Sequence, residues 1–228
     1  PISHLELEQV SLASVDEVST FAVQKRLREH LAGRWLLAQA LEQWGLNPNQ
    51  IEVKRTEFRA PVLAYLPGLW LNTSLPSISI SHSAGWAYVA LIEPEWSIGI
   101  DAEPADRGIA ENAFDMMARG KELDWLRQNP SYAIELWTSK ESVQKAMQMG
   151  MHLNPRKIEI PIEKGIRIIS IEKSIIQLEN WIYNGVNISV AWHDRPSRIR
   201  TPEDDLLDAT QKAMEERDWG VGCKTTLG

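Results

Sequence analysis

Extended and helical patterning alternate along this chain in an order that occurs twice, a strand, then helices, then strands, and that order points to helices packed on small antiparallel sheets. Residues 2–12 alternate in part, with Leu5 and Leu7 on one side and Glu6 and Glu8 on the other, so a half-buried strand is expected there. Ser14 and Glu17 have capping-box spacing, and Leu27, Leu31, Trp35, Ala38 and Leu41 carry a long or broken helical region that closes at Gly45. Strands are expected over 51–58, 77–82 and 86–92, the last two joined by the short turn Ser83-Ala84-Gly85. The second cycle opens at 96–103, where Ile98, Ile100 and Ala102 face one side and Gly99, Asp101 and Glu103 the other. Helices follow over 111–127 and 131–149, the latter with Pro130 before an N-cap Ser131 and a stop at Gly150. Strands return at 157–162, 166–173 and 186–192, with 175–183 a further extended segment.

The expected class is therefore α+β, with two similar α/β halves related by a pseudo-twofold duplication, although no residue-level repeat joins them. The halves would be 1–95 and 96–200, followed by a polar acidic tail, 201–228, with helical patterning around 206–214.

A chain of 228 residues, 43% of them hydrophobic, has ample material for a core. Its longest apolar stretches, such as 86–92, are far too short to cross a bilayer, and the N-terminus lacks a basic segment followed by an apolar run. The expectation is a cytoplasmic protein with no membrane partner. Cys223 is the single cysteine, so neither an internal disulfide nor a cysteine-rich metal site can form. The net charge of -7 argues against a general nucleic-acid binder, and most of it lies at 203–218, where seven acidic residues face only Lys212 and Arg217. The remainder is near neutral and has room for a local basic groove.

Three clusters could carry chemistry. Asp101 and Glu103 are two apart on a strand and aim to one side, where two like charges call for a counterion; magnesium suits them, as does plain solvation on an exposed face. In Trp137-Thr138-Ser139-Lys140-Glu141-Ser142-Val143-Gln144-Lys145, Glu141 and Lys145 share a helical face, an arrangement that taken by itself reads first as an ordinary surface ion pair worth a few tenths of a kcal/mol. Ser79-Ile80-Ser81-His82-Ser83 ends a strand at a turn, where serine and histidine either stay structural or hold a phosphate if Arg34 and Arg59 converge on them.

Taken together and in this order, the clusters resemble the signature of the 4'-phosphopantetheinyl transferase superfamily: Ser81-His82-Ser83 before a hairpin, Ile98-Gly99-Ile100-Asp101-Ala102-Glu103, and the block from Trp137 to Lys145. Length and the twice-run layout resemble its larger class, which activates peptide and polyketide synthetases. The resemblance implies magnesium on Asp101, Glu103 and Glu141, and Lys145 on the pyrophosphate of coenzyme A. It also implies Ser81 and His82 near the 3'-phosphate and adenosine, Lys140 beside the same nucleotide, and Arg34 and Arg59 on the coenzyme A phosphates. Where the family often runs Gly-Lys-Gly-Leu after the last lysine, this chain has Gln148-Met149-Gly150-Met151-His152-Leu153, which removes or alters a basic contact near the pantetheine. Between the two acidic motifs, where the family tends to dock its carrier protein, Phe114, Met116 and Met117 offer either a docking patch or core.

The activity so implied is magnesium-dependent transfer of the 4'-phosphopantetheine arm from coenzyme A to a serine of an apo carrier protein, with release of 3',5'-adenosine bisphosphate. Asp101, Glu141 and Lys145 would be catalytic, Glu141 taking the serine proton, and a monomer would suffice. The rivals are a metal-dependent nuclease or phosphohydrolase, and a noncatalytic coenzyme A or carrier-protein binding module.

Overall fold

In β3 (Ser77–Ser83) the run Ser-Ile-Ser-Ile-Ser-His-Ser puts serines on one face and Ile78, Ile80 and His82 on the other, because successive strand side chains point to opposite sides. β3 pairs antiparallel with β4 (Trp86–Ile92) through the expected hairpin, whose turn residues Ala84 and Gly85 both have positive φ, as a two-residue turn that follows strand twist requires. Ile78 packs with Leu37 and Leu41 of α2 (Gln24–Gln43), and Ile80, Val89 and Leu91 close over that cluster.

The serine face meets β5 (Trp96–Pro104), the edge of a four-stranded antiparallel sheet ordered β5-β8-β7-β6, with β6 at Arg167–Ile171, β7 at Ser174–Tyr183 and β8 at Val186–Asp194. No backbone ladder joins β3 to β5. Instead Ser77 Oγ donates to the Trp96 carbonyl, Ser79 Oγ accepts from the Ile100 N–H at 3.0 Å, and Ser81 Oγ donates to Asp101 Oδ1 at 2.9 Å. An edge strand presents unpaired backbone groups that must find partners when buried, and these serines supply some of them. Tyr88 and Ala90 of β4 pack beside the seam against Ile100, Ala102 and Ile188. A separate pair, β1 (Ile51–Arg55) and β2 (Pro61–Tyr65), completes the strands.

The two faces of β5 divide as the alternation predicts. Ile98, Ile100 and Ala102 are buried on one, while the other takes α5 (Ala133–Ala146) at very close range. A Cβ on Gly99 would fall 2.0 Å from the Ser142 carbonyl oxygen and 2.4 Å from the Ala146 nitrogen. Ser97 Oγ binds the Ala146 carbonyl at 2.6 Å, which fixes the helix end on the strand. Beneath α5 lies the largest core, in which Phe114, Leu136, Val143, Ile176 and Leu178 meet side chains of α3 (Phe114–Met117) and α4 (Gly120–Gln128).

The computed structural model describes residues 5–69, 73–163 and 165–195, and those up to Asp194 form one compact unit. The acidic tail, its helical patterning at 206–214 and Cys223 lie outside the described residues, as do residues 1–4 of the first expected strand. The fold is mixed α+β with small antiparallel sheets, but strand pairing does not itself display the expected duplication: two two-stranded pairs precede one four-stranded sheet.

Several expectations are corrected. Residues 5–12 form no strand; a 3-10 turn at Leu7–Gln9 replaces it, closed by Gln9 Oε1 accepting from the Glu6 N–H at 2.9 Å. The first helical region breaks into α1 (Val15–Ser19) and α2, and Ser14 stands at the N-cap without a side-chain cap bond. The 111–127 helix divides into a 3-10 turn, α3 and α4, and Ser131 lies within a 3-10 turn at Pro130–Tyr132 rather than capping α5. No strand forms at 157–162: Lys157 ends a 3-10 turn at Pro155–Lys157, and beyond it the Ile158 carbonyl accepts from the Lys140 ammonium while the Ile160 N–H donates to Glu122, so these groups bond side chains rather than a neighbouring strand. β2 escaped the sequence pattern because its side chains are all half-buried and do not alternate.

Gly99→Ala should lower stability by about 3 kcal/mol, since the added methyl meets helix backbone that cannot swing aside. Chemical denaturation of the two proteins measures the difference.

Candidate active site

Buried almost all round, α5 leaves a half-open stripe that carries Trp137, Glu141 and Lys145, each four residues from the next. The close approach at Gly99 sets Lys145 over β5, where its ammonium donates to Asp101 Oδ1 at 2.7 Å and to the Ile100 carbonyl at 3.0 Å. The lysine thus pairs with the strand acid rather than with Glu141. Asp101 is 4% exposed; its Oδ1 accepts from both Lys145 and Ser81, while Oδ2 is buried without a partner. Glu103, next on the same face, is paired with Arg107.

Among the described residues no cation is paired with Glu141. Burial first, then the neighbouring Asp101 carboxylate, push its carboxyl up to about 7 against the opposing pull of Lys145. The three acids line one cavity of about 430 Å³ with Phe21, Arg26, Glu29, His30, Ser81, His82 and Lys145. Among the described residues, however, no three histidine, cysteine, aspartate or glutamate side chains are gathered closely enough to hold a metal ion. Lys145 and Arg107 draw Asp101 and Glu103 toward themselves, which leaves the acids facing a common space without closing on a point.

A second cavity, of about 280 Å³, adjoins the first and has the opposite character: Arg34, Arg55, Arg59 and Lys145 line it, and among the described residues no carboxylate does. His30, Ile80, His82 and Lys145 belong to both. His82 stands where α2 comes closest to β3; a Cβ on Gly33 would lie 2.6 Å from its Nε2, an atom that is buried without a hydrogen-bond partner. Burial holds its pKa below the usual histidine range, with nearby Lys145 and Arg34 adding to the effect against Glu29, so the ring is neutral near pH 7. Arg34 is 2% exposed and bound to Glu17 at 3.2 Å, whereas Arg59 is exposed at the rim with a positive φ.

Of the residues singled out in the sequence, Asp101, Glu103, Glu141, Lys145, Ser81, His82, Arg34 and Arg59 all line these joined cavities. Lys140 does not. Expected beside a nucleotide, it is instead fully buried on the far side of α5, its ammonium bound to Glu122 and to the Pro155 and Ile158 carbonyls at 3.0 and 2.6 Å. Its pKa is lowered by burial, opposed by Glu122. Phe114 and Met117 are core, and only Met116, 72% exposed, remains of the apolar patch between the acidic motifs. His30 and Arg55 went unnoticed in the sequence, and Glu17, read there as a capping-box partner of Ser14, instead bonds Arg34 and Arg55. His30 stands one helical turn before Arg34, which was a usable signal; Arg55, at the end of an ordinary strand, offered none.

The family model of the 4'-phosphopantetheinyl transferase superfamily matches residues 97–192, somewhat less than half of the chain. The matched stretch contains Asp101, Glu103, Glu141 and Lys145, and leaves outside it α2 and β1 to β4, which bring Arg34, Arg55, Arg59, Ser81 and His82. No curated protein matches the chain significantly.

Because the folded Glu141 binds its proton more tightly than an unfolded glutamate, the folded state is favoured at low pH and loses that advantage as pH rises from about 4.5 through about 7. With a chelator present, Glu141→Gln should therefore melt higher than the parent at pH 8, and the gap should close by pH 5. Lys140→Ala should lose about 3 to 5 kcal/mol of stability by leaving Glu122 buried without its cation. Thermal and denaturant unfolding measure both.

Proposed function

We propose that this protein is a 4'-phosphopantetheinyl transferase of the larger, duplicated class, which moves the phosphopantetheine arm of coenzyme A onto a serine of an apo acyl, polyketide or peptidyl carrier protein. The observation that carries this reading is the junction at Lys145 and His82 between a basic cavity and an acidic one. A diphosphate ester needs cations along its charged oxygens, and the transfer needs acids and a proton acceptor beside the phosphorus. The superfamily match over 97–192 supports the same chemistry.

In this reading Arg34, Arg55 and Arg59 hold the phosphates and the nucleotide end, with Ser81 and His82 beside them. Lys145 lies at the pyrophosphate and offsets charge on the departing 3',5'-adenosine bisphosphate. As the carrier serine oxygen forms its bond to the β-phosphorus, the bond to the adenosine-side phosphate oxygen breaks and the serine proton passes to Glu141. Without a cation on it the Glu141 carboxyl is pushed up to about 7; a bound magnesium would lower it and keep it ionised, ready to accept the proton.

In donor chemistry, though not in their present spacing, the residues also suit a divalent cation. Asp101 Oδ2 is buried and unpartnered, and Glu141 is pushed up by burial and by its acidic neighbour, two signs of an acidic site short of positive charge. Asp101, Glu103 and Glu141 would hold magnesium, which when bound supplies Lewis-acid neutralisation of the phosphate oxygens. Residues from 1–95 and from 96–200 both line the cavities, so we read the site as lying between two halves of one transferase that acts as a cytoplasmic monomer. Among the described residues no helix is long and apolar enough to cross a membrane.

Intact-mass spectrometry of apo carrier proteins incubated with this protein and coenzyme A tests the proposal. The expected result is a gain of one phosphopantetheine arm that requires magnesium. Asp101→Asn and Glu141→Gln should each slow transfer by about a hundredfold or more while remaining folded. Failure of every carrier to gain mass despite coenzyme A binding would leave a binding module, and cleavage of phosphodiesters would point to a nuclease.

A further inference from the structure

Glu17 lines neither cavity, yet among the described residues it is the acid that bonds two arginines of the basic chamber, Arg34 and Arg55. It comes from the short helix α1, whereas Arg34 comes from α2 and Arg55 from β1. Its Oε2 accepts from Arg34 at 3.2 Å and stands 3.9 Å from His30 Nε2; its Oε1 accepts from Arg55 at 3.2 Å through Nε and again through the guanidinium terminus. Arg55 also donates to the Arg59 carbonyl at 3.2 Å, which links the same network to the rim loop. Arg34, nearly fully buried, has no other anionic partner among the described residues, and its Nε has no hydrogen-bond partner at all.

Two arginines that face one small cavity repel each other, and their long side chains carry much rotamer freedom. Without an anchor they would swing apart or toward solvent. A carboxylate that bonds both, one oxygen to each guanidinium, fixes the two forks relative to each other at the cavity wall.

We propose that Glu17 is a positioning residue for diphosphate recognition: by bridging Arg34 and Arg55 it holds the two guanidiniums in the geometry that receives the phosphates of coenzyme A. The inference rests on the transferase reading for the identity of the ligand. It also runs against simple charge counting, which is what makes it testable. Removal of a negative charge beside an anion site should tighten anion binding if charge alone mattered, and should weaken it if geometry governs.

The test is calorimetric titration of coenzyme A and of inorganic pyrophosphate into the full chain, with steady-state transfer kinetics and a melting curve for each variant. Glu17→Gln should weaken binding of both probes and raise KM for coenzyme A by about tenfold, with kcat within about twofold. Glu17→Asp keeps the charge but shortens the reach, and should lose about threefold or more in the same quantities while staying folded. Binding by Glu17→Gln that equals or exceeds the parent's, or Glu17→Asp indistinguishable from it, overturns the proposal. If the parent binds coenzyme A but transfers nothing, the transferase reading fails while the binding comparison still decides the role of Glu17. If the parent binds neither probe, the basic cavity is not a diphosphate site and both readings fall.

Discussion

Three serine side chains hold the β3–β4 hairpin against the edge of the four-stranded sheet, and the site depends on that seam. Each bond is worth only about 0.5 to 1.5 kcal/mol net, but an unmet N–H such as that of Ile100 would cost about 1 to 3 kcal/mol once buried. The seam therefore sets register as well as stability. With Ser79 on Ile100 and Ser81 on Asp101, β3 can slide neither way along β5 without stranding a buried group. His82, the next residue, is thereby held at the junction of the two cavities.

The opposite face of β5 imposes the second constraint. Ser97, Gly99 and Asp101 succeed one another along that face, the first fastening the end of α5, the second admitting its backbone, and the third receiving Lys145. One strand thus carries both contact surfaces of the site, with a serine-edged hairpin on one side and a helix at van der Waals range on the other. Asp101 belongs to both, and this explains why one of its oxygens is doubly bonded while the other is left buried and free.

Electrostatically, the cleft separates like from unlike. Cations collect where α2, β1 and the rim loop meet, and acids collect where β5 meets α5, with Lys145 on the boundary. Each group of like charges is costly by itself: burial and Asp101 hold Glu141 near 7, and burial with Arg34 as the leading charge pushes His30 down to about 4. An anion among the arginines and a cation among the acids would relieve both groups together. Such stored mismatch is characteristic of sites built to bind charge rather than of surfaces selected for stability alone.

Periodicity alone was enough to identify the hairpin of β3 and β4, the two faces of β5, and Glu141 and Lys145 on one helical stripe, since a strand or helix repeat fixes which side a residue occupies. Residue chemistry made Asp101, Glu103 and His82 candidates, with solvation or a structural role equally in view until the order of the clusters was read. What a repeat cannot specify is what stands opposite. Lys140 sits in the same motif as Lys145, and only packing decides that one enters the core to hold two carbonyls while the other turns to the cleft. Arg55 and Glu17 are unremarkable charges until α1, α2 and β1 bring them within reach of Arg34. Residue patterning settles the faces, and packing selects the partners, because contacts between distant segments depend on how those faces come together.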